Sequence, residues 1–180
     1  MKKIQFSLIV LSLAFAIGCG DSKKEESKKI NLTEEIKKAE AKNDINKPLN
    51  KENLLLLIDL YKQFADSLPK DPKSPVYLLR SCDFYGTLQM QKEKCELYRT
   101  ILEKYPDFKD ADMVMYLLAS AYDSDLNNRV DAKKYYQAYI EKYPNSIYVA
   151  DAKARLTTID SLSFKELQDM IIHQELDQPK

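Results

Sequence analysis

The stretch LEKYPDF, Leu102 to Phe108, returns as IEKYPNS, Ile140 to Ser146, 38 residues further along the chain. Glu-Lys-Tyr-Pro is common to both copies, and an aliphatic residue precedes it each time. The match extends outward. Tyr98 stands eight residues before Pro106, and Tyr136 stands eight before Pro144. A fainter copy, YKQFADSLPKD, places Tyr61 eight residues before Pro69, and Pro69 lies 37 residues before Pro106. Downstream, Tyr116-Leu117-Leu118-Ala119-Ser120 follows Tyr77-Leu78-Leu79-Arg80-Ser81 at an offset of 39. One unit therefore recurs at 37 to 39 residues.

Each unit opens on a helical pattern. Tyr77, Leu78, Ser81, Cys82 and Tyr85 share one stripe of a 3.6-residue period. Ser74-Pro75 ahead of it reads as a helix start, a hydroxyl cap followed by proline at the first helical position. The second half repeats large apolar residues at spacings of three and four: Tyr98, Ile101, Leu102 and Tyr105, then Tyr136, Tyr139, Ile140 and Tyr143. Pro106 and Pro144 stop these helices, because proline disfavours helical geometry in the residue before it and donates no backbone bond. The unit is helix, short turn, helix, proline. No alternating pattern marks a strand. A single hairpin leaves an apolar face exposed, and a stacked copy buries it, so the same stops and anchors must be written again.

These residues resemble the tetratricopeptide repeat. Ala132, Tyr136 and Pro144 keep the spacings of its second helix, and the other copy holds Lys94, Tyr98 and Pro106 with Cys95 beside Lys94. The longer unit, with KYPNSIYVADAKARL, is similar to the repeats of envelope lipoproteins of diderm bacteria. Those include the outer-membrane-protein assembly lipoproteins and the periplasmic coordinator of the Tol–Pal system. The resemblance covers about residues 50–160. It implies an all-α fold, a right-handed solenoid of antiparallel helix hairpins that binds other proteins. Residues 147–159 begin a further hairpin, with Ala150, Ala152 and Ala154 permitting close packing. Ser163-Phe164-Lys165-Glu166 reads as a capping box that opens a last helix to about Gln174, so 161–180 is expected to close the stack.

The start of the chain gives an address. Lys2 and Lys3 precede an apolar run from Ile4 to Ile17, broken only by Gln5, Ser7 and Ser12. The run is short of the roughly 20 residues a membrane-spanning helix needs, and it fits the apolar region of a secretory signal peptide. It ends in Ala16-Ile17-Gly18-Cys19. A small residue and a lone cysteine at this point resemble the lipobox of bacterial lipoproteins. The resemblance implies cleavage after residue 18 and lipidation of Cys19, and two or three acyl chains anchor a protein stably. Residues 19–32, GDSKKEESKKIN and its neighbours, are rich in Lys, Glu and Ser and read as a flexible tether. Residues 33–49 read as a short helix of low apolar content with a linker. The expected location is the cell envelope, lipid-anchored at the outer membrane and facing the periplasm.

The chemistry of the remainder is sparse. Lysine plus arginine and aspartate plus glutamate each number 28, and without a basic block nucleic acid finds no electrostatic footprint. His173, the single histidine, stands alone near the C-terminus with no nucleophile or orienting carboxylate placed beside it. No histidine–cysteine cluster has zinc spacing. Gly86 is the one glycine beyond Gly18 and Gly20, so no glycine-rich phosphate loop can form. DSDLNNRVD imitates calcium ligands at Asp123, Asp125 and Asn127, then fails, with Asn128 where glycine is needed and Lys134 where the closing glutamate belongs. It reads as a polar turn within one hairpin. No catalytic residue, metal or cofactor is expected.

Cys82 and Cys95 are a candidate disulfide, since antiparallel packing of their helices brings them near. The alternative is two small residues at the hairpin seam. The 12 tyrosines fall mostly on the repeat stripes and read as core. Asp83, Tyr122 and Asp160, at offsets of 39 and 38, are the candidate contacts for a partner peptide or helix on the first-helix face. The function these features point to is a membrane-anchored envelope scaffold with protein or peptide partners. A dedicated subunit of an envelope assembly complex is a second reading. A periplasmic binder or hydrolase of glycan or peptide ligands is a third, and the missing catalytic constellation speaks against it.

Overall fold

A computed structural model describes residues 19–42 and 50–161. The signal peptide expected over 1–18, the capping helix expected from Phe164 and His173 lie outside the described residues. Helix α1 spans Cys19–Glu40, α2 Lys51–Ser67, α3 Lys73–Thr87, α4 Gln91–Lys104, α5 Ala111–Ser120 and α6 Arg129–Lys142. Helix α7 is described over 149–161. A π-helical turn, Ala121–Asp125, extends α5. No strand occurs among the described residues.

The helices form by the pattern the sequence shows. In α2, Leu54, Leu57, Ile58, Tyr61, Phe64 and Ala65 are all buried, at spacings of three and four. Asn50 caps this helix, its side chain accepting from the Asn53 N–H at 2.9 Å. Consecutive helices pack on each other, giving the hairpins α1–α2, α3–α4 and α5–α6, with α7 set against the last. Helix α2 serves two neighbours. Leu57, Tyr61 and Phe64 belong to the core shared with α1, while Ile58 and Ala65 join the larger core that continues to α7. Leu57 and Phe64 are 0% exposed, and full burial of such side chains contributes about 1.5–3 kcal/mol each.

The turns between hairpins are three copies of one structure. Leu68, Tyr105 and Tyr143 end α2, α4 and α6 at φ/ψ of −132°/57°, −131°/59° and −126°/57°. Each is followed by proline. Their N–H groups donate to Phe64 O, Ile101 O and Tyr139 O at 2.9 Å. Three residues on, Asp71, Phe108 and Ser146 donate back to the carbonyls of Leu68, Tyr105 and Tyr143. Another three on, Ser74, Ala111 and Val149 repeat the step. Pro69, Pro106 and Pro144 force this geometry by excluding the helical region from the residue before them.

Two expectations change here. The tether expected over 19–32 is helical, and the short helix expected from residue 33 is the second half of the same α1. Lys and Glu are good helix formers, so a composition that argues against a core does not argue against a helix. Helix α1 does not stand alone either: Leu32, Ile36 and Ala39, at spacings of four and three, are buried against α2. The Asn53 side chain donates to Ala39 O at 3.1 Å, and Lys29 pairs with Asp71 at 2.6 Å. The second change concerns Ser74, which lies inside the first turn of α3 rather than at its cap. Its hydroxyl donates back to Leu68 O at 2.6 Å, and the capping contact comes from Asp71, which accepts from Lys73 N–H.

Candidate functional site

The hydrogen-bonded turns fix which residues correspond between hairpins. Leu68 to Tyr105 is 37 residues, and that offset holds along the first helices: Tyr77 matches Val114, Ser81 matches Leu118, and Tyr85 matches Tyr122. All six are buried. After the hairpin loop the offset is 38, so Tyr98 matches Tyr136 and Ile101 matches Tyr139. One residue has therefore been inserted in between. It is absorbed in the π-helical turn Ala121–Asp125, where Leu126 N–H bonds to Ala121 O, five residues back. Both first helices then end on a residue with positive φ, Gln89 at 58° and Asn127 at 48°.

This register separates Asp83 from Tyr122 and Asp160, which stay 38 residues apart as the second and third turns are. Tyr122 corresponds to Tyr85 and not to Asp83. It is 9% exposed, as Tyr85 is, and its ring stacks on Tyr135 at 5.3 Å. It is a core residue. Asp83 is exposed on α3, where partial desolvation raises its carboxyl above the usual range against the lowering pull of Lys94 and Arg80. Asp160 is exposed on α7 and pairs with Lys133 of α6 at 2.6 Å. The structure does not bring the three together as one equivalent row.

The first-helix face carries polar ties instead. Tyr61 and Arg80 both donate to the same Glu40 oxygen, at 2.6 and 2.9 Å, joining α1, α2 and α3. Desolvation first, then the Glu40 bond, raises the Tyr61 hydroxyl, which stays a neutral donor. At the other end, Tyr116 of α5 donates to Asp151 of α7, and Arg155 reaches both Asp151 and Asp123. Between them, Lys94 crosses Gly86 and pairs with Asp125 of the π-helical turn at 2.5 Å. The stretch DSDLNN is thus a turn whose acids face cations, while Asn128 caps α6 by accepting from Asp131 N–H at 3.1 Å.

Cys82 and Cys95 are free and buried, and no bond joins them. Burial pushes the Cys82 thiol well above its ordinary value and Cys95 up to about 11. Both are protonated at neutral pH and poor nucleophiles. The Cys82 sulfur lies 3.9 Å from Lys94 O, at the seam of α3 and α4.

A second surface, which the spacing of the contact candidates does not reveal, runs along the inter-hairpin turns. A cleft of about 510 Å³ lies between the first two proline turns, lined by Pro69, Pro72, Pro75, Val76, Tyr105 and Phe108. One repeat further on, a cleft of about 420 Å³ lies between the turns at Pro106 and Pro144. A third, of about 830 Å³, lies between α1 and the first turn. Neighbouring clefts share residues: Lys70, Asp71 and Pro72 on one side, Pro106 to Lys109 on the other. They form one continuous edge groove. Its trace in the sequence is the repeated stop, Leu68-Pro69, Tyr105-Pro106 and Tyr143-Pro144, which ends each second helix and also lines the edge.

Asp71 sits under this edge with 7% of its side chain exposed. Burial alone would raise its carboxyl. The Lys29 hydrogen bond, the Lys73 N–H and the charge of Lys29 outweigh burial and hold it below the usual range. Among the described residues no group of histidine, cysteine, aspartate and glutamate side chains is placed to hold a metal ion.

Residues 113–146 match the tetratricopeptide repeat family model. The match spans α5 from its third residue, the π-helical turn, α6 and the turn at Pro144, which make the last complete hairpin among the described residues. No curated protein matches the chain. Together with the repeated hairpins, the match shows that the chain contains a tetratricopeptide repeat within an all-α repeat stack, a kind of repeat that generally mediates protein–protein interaction.

Proposed function

We propose that this protein is a lipid-anchored scaffold of the cell envelope that holds partner proteins through its helical-repeat surface and performs no catalysis. The observation that carries the reading is the repeated build. Three hairpins and α7, linked by three turns of matching geometry, present a pre-formed surface, which binds without the ordering cost a flexible segment would bear. The basic start, the apolar run and Gly18-Cys19 support lipidation at Cys19 and an outer-membrane address facing the periplasm. An anchor confines the stack to the membrane surface and raises its effective concentration toward partners there. The described part of α1 runs from Cys19 and is docked to α2 and to the α2–α3 turn, which supports an anchor at Cys19 held close to the stack.

Growth with a radiolabelled fatty acid, followed by membrane fractionation, tests the anchor. Wild type should take up label and sediment with the outer membrane. Cys19→Ala should lose both. Label retained by Cys19→Ala, or wild type found wholly in the soluble fraction, would contradict the reading.

A further inference from the structure

We propose that the proline-turn edge is the docking groove for an extended acidic peptide bearing aromatic or large apolar side chains, the chemical class of the scaffold's partner. This rests on the scaffold reading and goes beyond it by assigning the surface and the ligand.

Shape is the first argument. Two clefts lie one repeat apart and share the Pro106–Lys109 turn, so a strand laid along the edge can place one side chain in each. The walls are proline rings, Val76, Tyr105 and Phe108 in the first cleft, and Phe108, Tyr143 and Pro144 in the second. Prolines with fixed φ and three equally bonded turns make these walls rigid, so little ordering is needed on binding.

Charge is the second. Four lysines rim the two clefts: Lys70, Lys104, Lys109 and Lys142. The acids beside them are largely engaged within the fold. Asp71 is buried against Lys29, and Asp112 accepts from the Ser146 hydroxyl at 2.8 Å. Asp107 is the acid of these two clefts left facing solvent, and Glu25, Glu26 and Glu34 line only the third cleft against α1, outside the proposed docking segment. The lysines are held weakly. Lys104 meets Asp66 at 3.3 Å with both side chains more than half exposed, a pair worth little in water. Lys109 is 80% exposed and 3.8 Å from Asp110, and Lys142 lies 5.1 Å over the Tyr143 ring. An apolar floor under a cationic rim suits carboxylates that flank an aromatic side chain.

The probe is a fluorescein-labelled nonapeptide with phenylalanine at every third position and glutamate elsewhere, titrated against the full chain in detergent micelles by fluorescence anisotropy. Saturable binding is expected, weakened at least tenfold by Lys70→Glu combined with Lys109→Glu, and weakened by salt as exposed charges are screened. Both lysines are exposed, so this variant leaves the core intact. The lysine-for-glutamate and alanine-for-phenylalanine analogues should not bind. Absence of saturable binding, equal binding of the lysine analogue, or an affinity unmoved by the charge reversal would overturn the assignment. A concentration-dependent dimer abolished by the same charge reversal would overturn it too, in favour of a second copy.

A photo-crosslinking residue at position 76 in the groove, and separately at position 83 on the first-helix face, tells this failure from that of the scaffold reading. Crosslinks to an envelope protein from 76 that the acidic probe suppresses support the groove. Crosslinks from 83 alone refute the groove and leave the scaffold standing. No crosslink from either position refutes both.

Discussion

Hairpins α3–α4 and α5–α6 make the same loop from different first helices. Helix α3 runs 15 residues as a regular α-helix. Helix α5 runs 10 and finishes in a five-residue π-helical turn. Both deliver a left-handed residue, Gln89 or Asn127, just before the second helix. The second helices then bury matched positions, Tyr98 and Ile101 against Tyr136 and Tyr139. The difference shows how a stack tolerates an inserted residue. One wider turn takes up the extra length, and every contact downstream keeps its face.

Deletions test that comparison most severely. Removing Arg80 from the middle of α3 rotates the remainder of that helix by about 100°, turning buried positions outward. The expected outcome is loss of the cooperative thermal transition in circular dichroism. Removing the exposed Ser124 from the π-helical turn should leave a folded protein with α5 as a plain α-helix. If both deletions unfold the chain, the π-helical turn is not where the insertion is absorbed.

The matched tyrosines come next. Tyr98→Ala and Tyr136→Ala remove side chains that are 4% and 0% exposed, so each should cost about 3–5 kcal/mol in urea unfolding. A large effect at only one of them would mean that the hairpins do not share a core.

A smaller effect separates Tyr139 from its apolar counterpart Ile101. The Tyr139 hydroxyl donates to Ser146 at 2.6 Å, and Ser146 donates to Asp112, pinning the last turn. Tyr139→Phe should cost about 0.5–1.5 kcal/mol by chemical denaturation. No change would mean the chain of hydroxyls contributes nothing to that turn.

The smallest effects are gains. A methyl group on Gly86 would meet the Lys94 side chain at 3.6 Å, an ordinary contact, so Gly86→Ala should stabilise by about 0.5–1 kcal/mol through helix propensity. Gln89→Gly should stabilise more than Asn127→Gly, because asparagine already tolerates positive φ and glutamine does not. Melting temperatures of the three variants check both statements.

The proline stops, the aromatic anchors and the hairpins α3–α4 and α5–α6 are legible in the sequence because each is written in residue type and spacing. The register within the first helices is not. Tyr116-Leu117-Leu118-Ala119-Ser120 looks like Tyr77 to Ser81 at an offset of 39, while the hydrogen-bonded turns require 37. Similar letters on neighbouring helical faces cannot reveal a two-residue slip, and so spacing alone puts Tyr122 with Asp83 on an outer face. Helix α1 is obscured for another reason. Its docking stripe is only Leu32, Ile36 and Ala39, too few apolar residues to stand out in a run of Lys and Glu. The edge groove escapes a reading of the sequence because it is made by turns stacked in space, which no single repeat displays.

The central claim is that the stacked surface of an anchored chain binds protein. Its most direct test is mild-detergent purification of the full chain from native envelopes, followed by chemical crosslinking and mass spectrometry, with Cys19→Ala run in parallel. The account predicts a reproducible partner in wild type, with crosslinked lysines on the repeat stack, and a weaker yield of the same partner from Cys19→Ala. Wild type recovered as a bare monomer, with no crosslink from the stack to any other protein, would contradict it.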